Sequence, residues 1–135
     1  MHILPLSGSA DIPNDCNMIS GSISGGYYPD YLREQMQCFD GKVCLCLDAA
    51  AVLIYLPSYD GQGEILSQKE LNDHINNNNS RFSKALCCNY IFISKPATVI
   101  LFDDELSLQK KLQYAKEAAV PYVLLPDKYI KSKTP

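Results

Sequence analysis

Apolar residues recur along the chain with two different periods, and the points where the period changes divide it into elements. Leu32, Met36 and Phe39 share one helical face, and Pro29 just ahead of them suits a first-turn position, so a helix is predicted over Pro29 to Phe39. Asp40-Gly41 should stop it. Val43-Cys44-Leu45-Cys46-Leu47 and Val52-Leu53-Ile54-Tyr55-Leu56 are short apolar runs joined around Asp48-Ala49-Ala50, and they predict a hairpin.

The clearest local signal is Ser67-Gln68-Lys69-Glu70. Ser67 can accept from the amide of Glu70 while the Glu70 carboxylate reaches back to the amide of Ser67, the reciprocal pairing of a capping box. Leu66 and Leu71 supply the accompanying apolar staple, so a helix is predicted over residues 68 to about 77, ended by the run Asn76 to Asn79. Leu86 to Ile93 and Thr98 to Phe102 flank the turn-like Ser94-Lys95-Pro96-Ala97 and predict a second hairpin. Leu108, Leu112, Ala115 and Ala119 then mark a helix over about Glu105 to Ala119, closed by Pro121, and Tyr122-Val123-Leu124-Leu125 reads as a buried strand before a polar tail, Lys128 to Pro135. Residues 1–42 are loop-rich, with Ile3 to Leu6 and Met18 to Ser20 as their strands.

This order predicts a mixed α/β (α+β) fold: one mixed β-sheet with two hairpins, one strand-helix-strand unit from Thr98 to Leu125, and about three helices. A chain of 135 residues fits a single domain spanning 1–135, able to bury about two-thirds of its unfolded surface without covalent staples. Fifteen acidic against twelve basic residues give a net charge of −3 with no basic stripe, which argues against nucleic acid and anionic membrane as partners. No run approaches the roughly 20 apolar residues of a membrane span. The start, Met1 to Gly8, has no basic n-region, so a cytoplasmic location is expected, with six free thiols, of which Cys44, Cys46, Cys87 and Cys88 serve as small buried hydrophobes.

Candidate chemistry is sparse. The glycine-rich stretch Gly21 to Gly26 lies ahead of the Pro29 helix and could offer amides to a phosphorylated ligand, yet it matches neither a dinucleotide fingerprint nor a P-loop. Cys44, Cys46, Cys87 and Cys88 lack the knuckle spacing of a zinc site, so no metal and no cofactor are expected. His2 and His74 stand beside no nucleophile motif. The acidic trio Asp103-Asp104-Glu105 has the residue type for acid/base work, but helix capping and dipole complementation account for it without a substrate.

The C-terminal half carries a resemblance. Glu64-Ile65-Leu66-Ser67 and the capped helix, the Leu86 to Phe102 hairpin, and then Phe102-Asp103-Asp104-Glu105-Leu106-Ser107-Leu108-Gln109-Lys110-Lys111-Leu112-Gln113-Tyr114-Ala115-Lys116 resemble the end of family 18 glycoside hydrolases, the chitinase-like and spore-cortex-lytic barrels. There a similar stretch links a small inserted α+β subdomain to the last barrel helix and strand, and Leu53 to Asp60 would sit near the strand preceding the insertion. The resemblance covers residues 53 to about 126, and residues 1 to 50 carry no match to that family.

A complete barrel needs at least about 200 residues, so the chain can hold only a fragment of one, not a complete TIM barrel. The family's acidic signature, D-x-x-D-x-D-x-E, occurs in no window of the chain, and Leu125 stands near the position of the family's sugar-stacking tryptophan. The resemblance therefore implies a shortened, catalytically silent relative, not an enzyme, acting through a protein partner or self-association. A second expectation is carbohydrate recognition, with Tyr59, Asp60, Asp103, Asp104 and Glu105 lining a shallow groove.

Overall fold

The computed structural model describes residues 1–22, 24, 26–57 and 63–131. Among them the strands form two sheets. The first is parallel throughout and contains β1 (His2–Pro5), β2 (Asn17–Ser20), β3 (Val43–Cys46) and β9 (Tyr122–Leu125), in the order β1-β9-β3-β2. β3 is an inner strand, which explains its unbroken apolar run: Val43, Cys44 and Leu45 are all fully buried, as in a parallel strand covered on both faces. Helices α1 (Tyr28–Cys38) and α3 (Glu105–Glu117) bury Leu32, Leu108 and Leu112 in one core with Ile19, Leu45 and Val123. A 3₁₀ segment, Leu6–Asp11, contacts β1 and β9.

The second sheet is antiparallel, in the order β5-β4-β8-β7-β6: β4 (Ala51–Tyr55), β5 (Glu64–Leu66), β6 (Arg81–Ser83), β7 (Cys88–Ser94) and β8 (Ala97–Phe102). Helix α2 (Gln68–Asn77) packs Leu71 on one face of it, against Leu53, Leu66, Ile91, Ile100 and Phe102. Its capping box forms as the sequence predicts: the Glu70 amide donates to Ser67 Oγ and the Ser67 amide donates to Glu70 Oε1, each at 3.1 Å. The β7–β8 hairpin also forms as predicted, with Ser94 opposite Ala97.

The mixed α/β class holds, with no closed barrel among the described residues, but the pairing differs from the expected single sheet in two places. Val43 to Leu47 and Val52 to Leu56 are not a hairpin, since β3 and β4 belong to different sheets. Between them Asp48 Oδ1 accepts from the Ala50 amide at 3.1 Å and Ala49 takes a positive φ of 58°, which redirects the chain. Likewise β8, α3 and β9 connect the antiparallel sheet to the parallel one and are not a crossover within one sheet. The apolar pattern marks a strand as buried without specifying its neighbour, so both runs fit either pairing. The expected polar tail also begins with a short helix, α4 (Asp127–Lys131).

Helix α3 ends on a left-handed residue that is not glycine. Ala119 has φ of 61°, and the following amide, Val120, donates to Ala115 O at 3.0 Å, satisfying a terminal carbonyl. A Cβ in that conformation costs free energy that glycine avoids. Ala119→Gly is expected to raise stability by about 0.5–1 kcal/mol, read as a higher urea midpoint at unchanged slope.

Candidate functional site

In sheets with parallel strands, chemistry gathers beyond the strands' carboxyl ends. Beyond β2 lies Ser20-Gly21-Ser22, and three successive carbonyls there are each met by a different side chain. Tyr31 Oη donates to Ser20 O at 2.6 Å, Tyr28 Oη to Gly21 O at 3.1 Å, and Lys111 Nζ to Ser22 O at 2.9 Å. The Gly21 amide donates to Cys46 O at 2.8 Å, which lays the loop against β3. A Cβ on Gly21 would overlap the Leu47 side chain and sit 3.0 Å from Cys46 O, so glycine here serves close packing. Ser22 Oγ donates in turn to Asp48 Oδ1, just past β3.

Lys111 is the centre of this network. Its ammonium lies 2.7 Å from Asp103 Oδ2, and the two side chains are 0% and 1% exposed. Asp103 follows β8, and its other oxygen accepts from Ser107 Oγ at 2.7 Å. Ser107 closes the amino-terminal cap of α3: its amide donates to Asp104 Oδ1 at 2.8 Å and its Oγ accepts from the Asp104 amide at 2.9 Å. The ring of fully buried Tyr28 lies 5.4 Å from Lys111 Nζ. Burial pushes the Asp103 carboxyl above its ordinary value of 3.8, while the Lys111 ammonium and the Ser107 hydroxyl pull it back. Burial likewise raises the Tyr28 phenol and keeps it a neutral donor.

Of the residues singled out from sequence, Asp103, Asp104 and Glu105 come together, lining a hollow of about 200 Å³ with Gln68, Phe102 and Tyr129. The carboxylates of Asp103 and Asp104 are engaged by Lys111 and Ser107 and by the helix cap, and Glu105 is exposed. Tyr59 and Asp60 lie outside the described residues. At the glycine-rich stretch the first amide of α1, Tyr28 N, already donates to Ala85 O at 2.7 Å. The sequence places no lysine near that stretch, whereas the fold brings Lys111 against it, sealed from solvent. Cys44 and Cys46 stand on β3, whereas Cys88 opens β7 in the other sheet and Cys87 immediately precedes it. Among the described residues no group of three or more His, Cys, Asp or Glu side chains is gathered as a metal ion requires.

The signal for Lys111 was present in the sequence. Ser107, Leu108, Lys111, Leu112 and Ala115 follow one helical stripe, and all five are buried. A lysine inside such a stripe needs a buried counter-charge, and the acidic residues just upstream supply it.

Removing Lys111 leaves Asp103 buried without its partner. Lys111→Met is expected to cost about 3–5 kcal/mol at neutral pH, measured by urea unfolding. The sign with pH follows from the loss of the lowering that Lys111 exerts: burial then pushes the Asp103 carboxyl further above its ordinary value, and the folded variant holds that proton more tightly than the unfolded chain. Stability from protonation is therefore present below the ordinary carboxylate range and lost as pH rises through the folded value. The deficit of the variant should shrink in mild acid, and an equal deficit at both pH values would contradict a buried, unpaired carboxylate.

No family model matches the chain, and no curated protein matches it in sequence. Solved structures do match its fold. The spore cortex-lytic enzyme SleL of Bacillus cereus superposes with a TM-score of 0.57 at 17% identity, over 82% of this chain and 31% of that one. The Bacillus subtilis protein ydhD, described as a sporulation-specific glycosylase, gives 0.58 at 12% identity, over 90% of this chain and 51% of that one. A family GH18 chitinase of Cycas revoluta, solved with allosamidin, gives 0.50 at 19% identity, over 70% and 32%. This chain thus spans from 31% to 51% of the length of these proteins. A likeness over 90% of the chain takes in most of residues 1–50, contrary to the expectation from motifs, because β1 and β2 complete the same parallel sheet as β3 and β9. The chain carries part of the fold of chitinase-like proteins.

Proposed function

We propose that this chain is a catalytically silent relative of the chitinase-like hydrolases and acts as an interaction module, joining a second copy of itself through the open edges of its parallel sheet. One observation carries this reading: among the described residues, no strand pairs with the outer sides of β1 and β2. Edge strands present unpaired amides and carbonyls, and all-parallel sheets normally lie closed or covered. Exposed apolar side chains mark both edges, Met1 and Ile3 at β1 and Met18 at β2. Catalytic silence is supported by Asp103 and Asp104, whose carboxylates serve an ion pair and a helix cap. The proposal includes the cytoplasm as the setting, supported by the six free thiols.

Light scattering at micromolar concentration is expected to give twice the 15.0 kDa of the monomer. Met18→Lys, which places a charge on the β2 edge, is expected to shift the mass to that of a monomer, with an unfolding midpoint that no longer depends on protein concentration. A monomeric mass for the unaltered protein would remove self-association from the reading. Cleavage of a glycoside by the pure protein, lost on changing one carboxylate, would remove catalytic silence.

A second reading, carbohydrate recognition, is favoured by the hollow lined by Asp103, Asp104, Glu105, Gln68 and Tyr129. Tyr129 lines it with Lys128 Nζ 5.1 Å from the ring centroid, and Gln68 and Glu105 offer donors and acceptors. The same Cycas revoluta chitinase is also solved with (GlcNAc)3. Calorimetric titration with chitooligosaccharides should give a saturable heat that Tyr129→Ala abolishes, and the absence of heat from the unaltered protein would eliminate this reading.

A further inference from the structure

One hollow lies away from the sheet edges and from the acidic corner. It has a volume of about 440 Å³ and sits between α3, the start of α1 and the β6–β7 connection. Its wall on α3 is a single helical stripe, Lys110, Gln113, Tyr114 and Glu117, at the i, i+3, i+4, i+7 spacing of one face. Opposite stand Tyr27, half exposed at the cap of α1, and Phe82 on β6. The size falls inside the range of about 300–1,000 Å³ typical of small-molecule sites.

The chemistry of the lining is specific. Three rings, Tyr27, Phe82 and Tyr114, supply flat apolar surface. Two lysines, Lys84 and Lys110, also line the hollow, and Lys110 Nζ is held 4.2 Å from the centroid of the Phe82 ring. The one carboxylate of the lining, Glu117, accepts from Gln113 Nε2 at 3.1 Å. A locally positive, ring-lined hollow thus occurs on a chain whose net charge is −3. Hydrophobic surface with a few fixed polar groups is the usual composition of a ligand site, and here the sign of charge selects an anion.

We propose that this hollow binds a small organic anion that carries a planar apolar ring, the ring lying among Tyr27, Phe82 and Tyr114 and the anionic group meeting Lys84 and Lys110. The walls come from elements already fixed by the fold: Tyr28, next to Tyr27, donates its amide to Ala85 O in the β6–β7 connection, which ties the start of α1 to the facing wall. This site is independent of the sheet edges invoked for self-association.

Naphthalene-2-carboxylate and its neutral counterpart naphthalene-2-carboxamide share one ring and differ in charge, so they test both halves of the proposal. Titration of isotope-labelled protein by nuclear magnetic resonance is expected to move the amide signals of Phe82, Cys87, Lys110 and Tyr114 saturably. The carboxylate is expected to bind about tenfold tighter than the carboxamide, a difference of about 1.4 kcal/mol. Lys84→Gln/Lys110→Gln should erase that difference, whereas Lys116→Gln, outside the lining, should preserve it. Equal affinity for the two probes, movements confined to another face, or no saturable movement at millimolar probe would each overturn the proposal.

Discussion

A buried lysine has to be neutralised where it lies, and in this protein that requirement joins the β8–α3 junction to the loop after β2, Lys111 and Ser22 being 89 residues apart in the chain. The Lys111 ammonium, with no exposed surface, is held by the Asp103 carboxylate beyond β8 and by the Ser22 carbonyl beyond β2. Desolvating these groups is expensive, and the cost is offset by hydrogen bonds to the ammonium and to both carboxylate oxygens. Ser107 meets the second oxygen of Asp103, and the Tyr28 ring lies near the ammonium. The loop after β2, the junction of the two sheets and the amino end of α3 are thereby held in one arrangement.

The same network accounts for the stretch on which the family resemblance rests. Asp103, Ser107 and Lys111 belong to it, and all three are partners in the buried cluster. A segment that reads as ordinary core and cap positions therefore carries an ionic lock, and its residue types answer to the geometry of folding. The carboxylates at the end of β8 are consistent with this structural use, since both oxygens of Asp103 are occupied within the protein. Shared fold with glycosidases does not by itself carry their chemistry.

Local features were legible in the sequence wherever they depended on neighbouring residues. The Ser67–Glu70 box, the Asp40-Gly41 stop with φ of 52° and 77°, and the β7–β8 hairpin all follow from side chains a few positions apart. Partition of the strands between two sheets was not legible, because β3 and β4 carry similar apolar runs and nothing in that pattern names the partner strand. Lys111 was hidden for a related reason. Its helix was recognised by Leu108, Leu112, Ala115 and Ala119, and a charged residue between them reads as surface unless its counter-ion is sought at the same time. Of the candidate site, the acidic corner did come together around a hollow, while the contact of Lys111 with the Ser22 carbonyl depended on the fold.

The antiparallel sheet occupies one uninterrupted stretch of chain, from Ala51 to Phe102, and its first and last strands, β4 and β8, are direct neighbours with Val52 opposite Leu101. Paired antiparallel residues lie about 5 Å apart, so the chain leaves the parallel layer and returns to it through a narrow gate. Such closeness makes the inserted portion a cassette in evolutionary terms: lengthening, shortening or exchanging it would leave the geometry of its attachment points unchanged. The limit on that freedom is Cys87, which lies in the parallel layer's own core, so any replacement cassette would have to supply an equivalent plug.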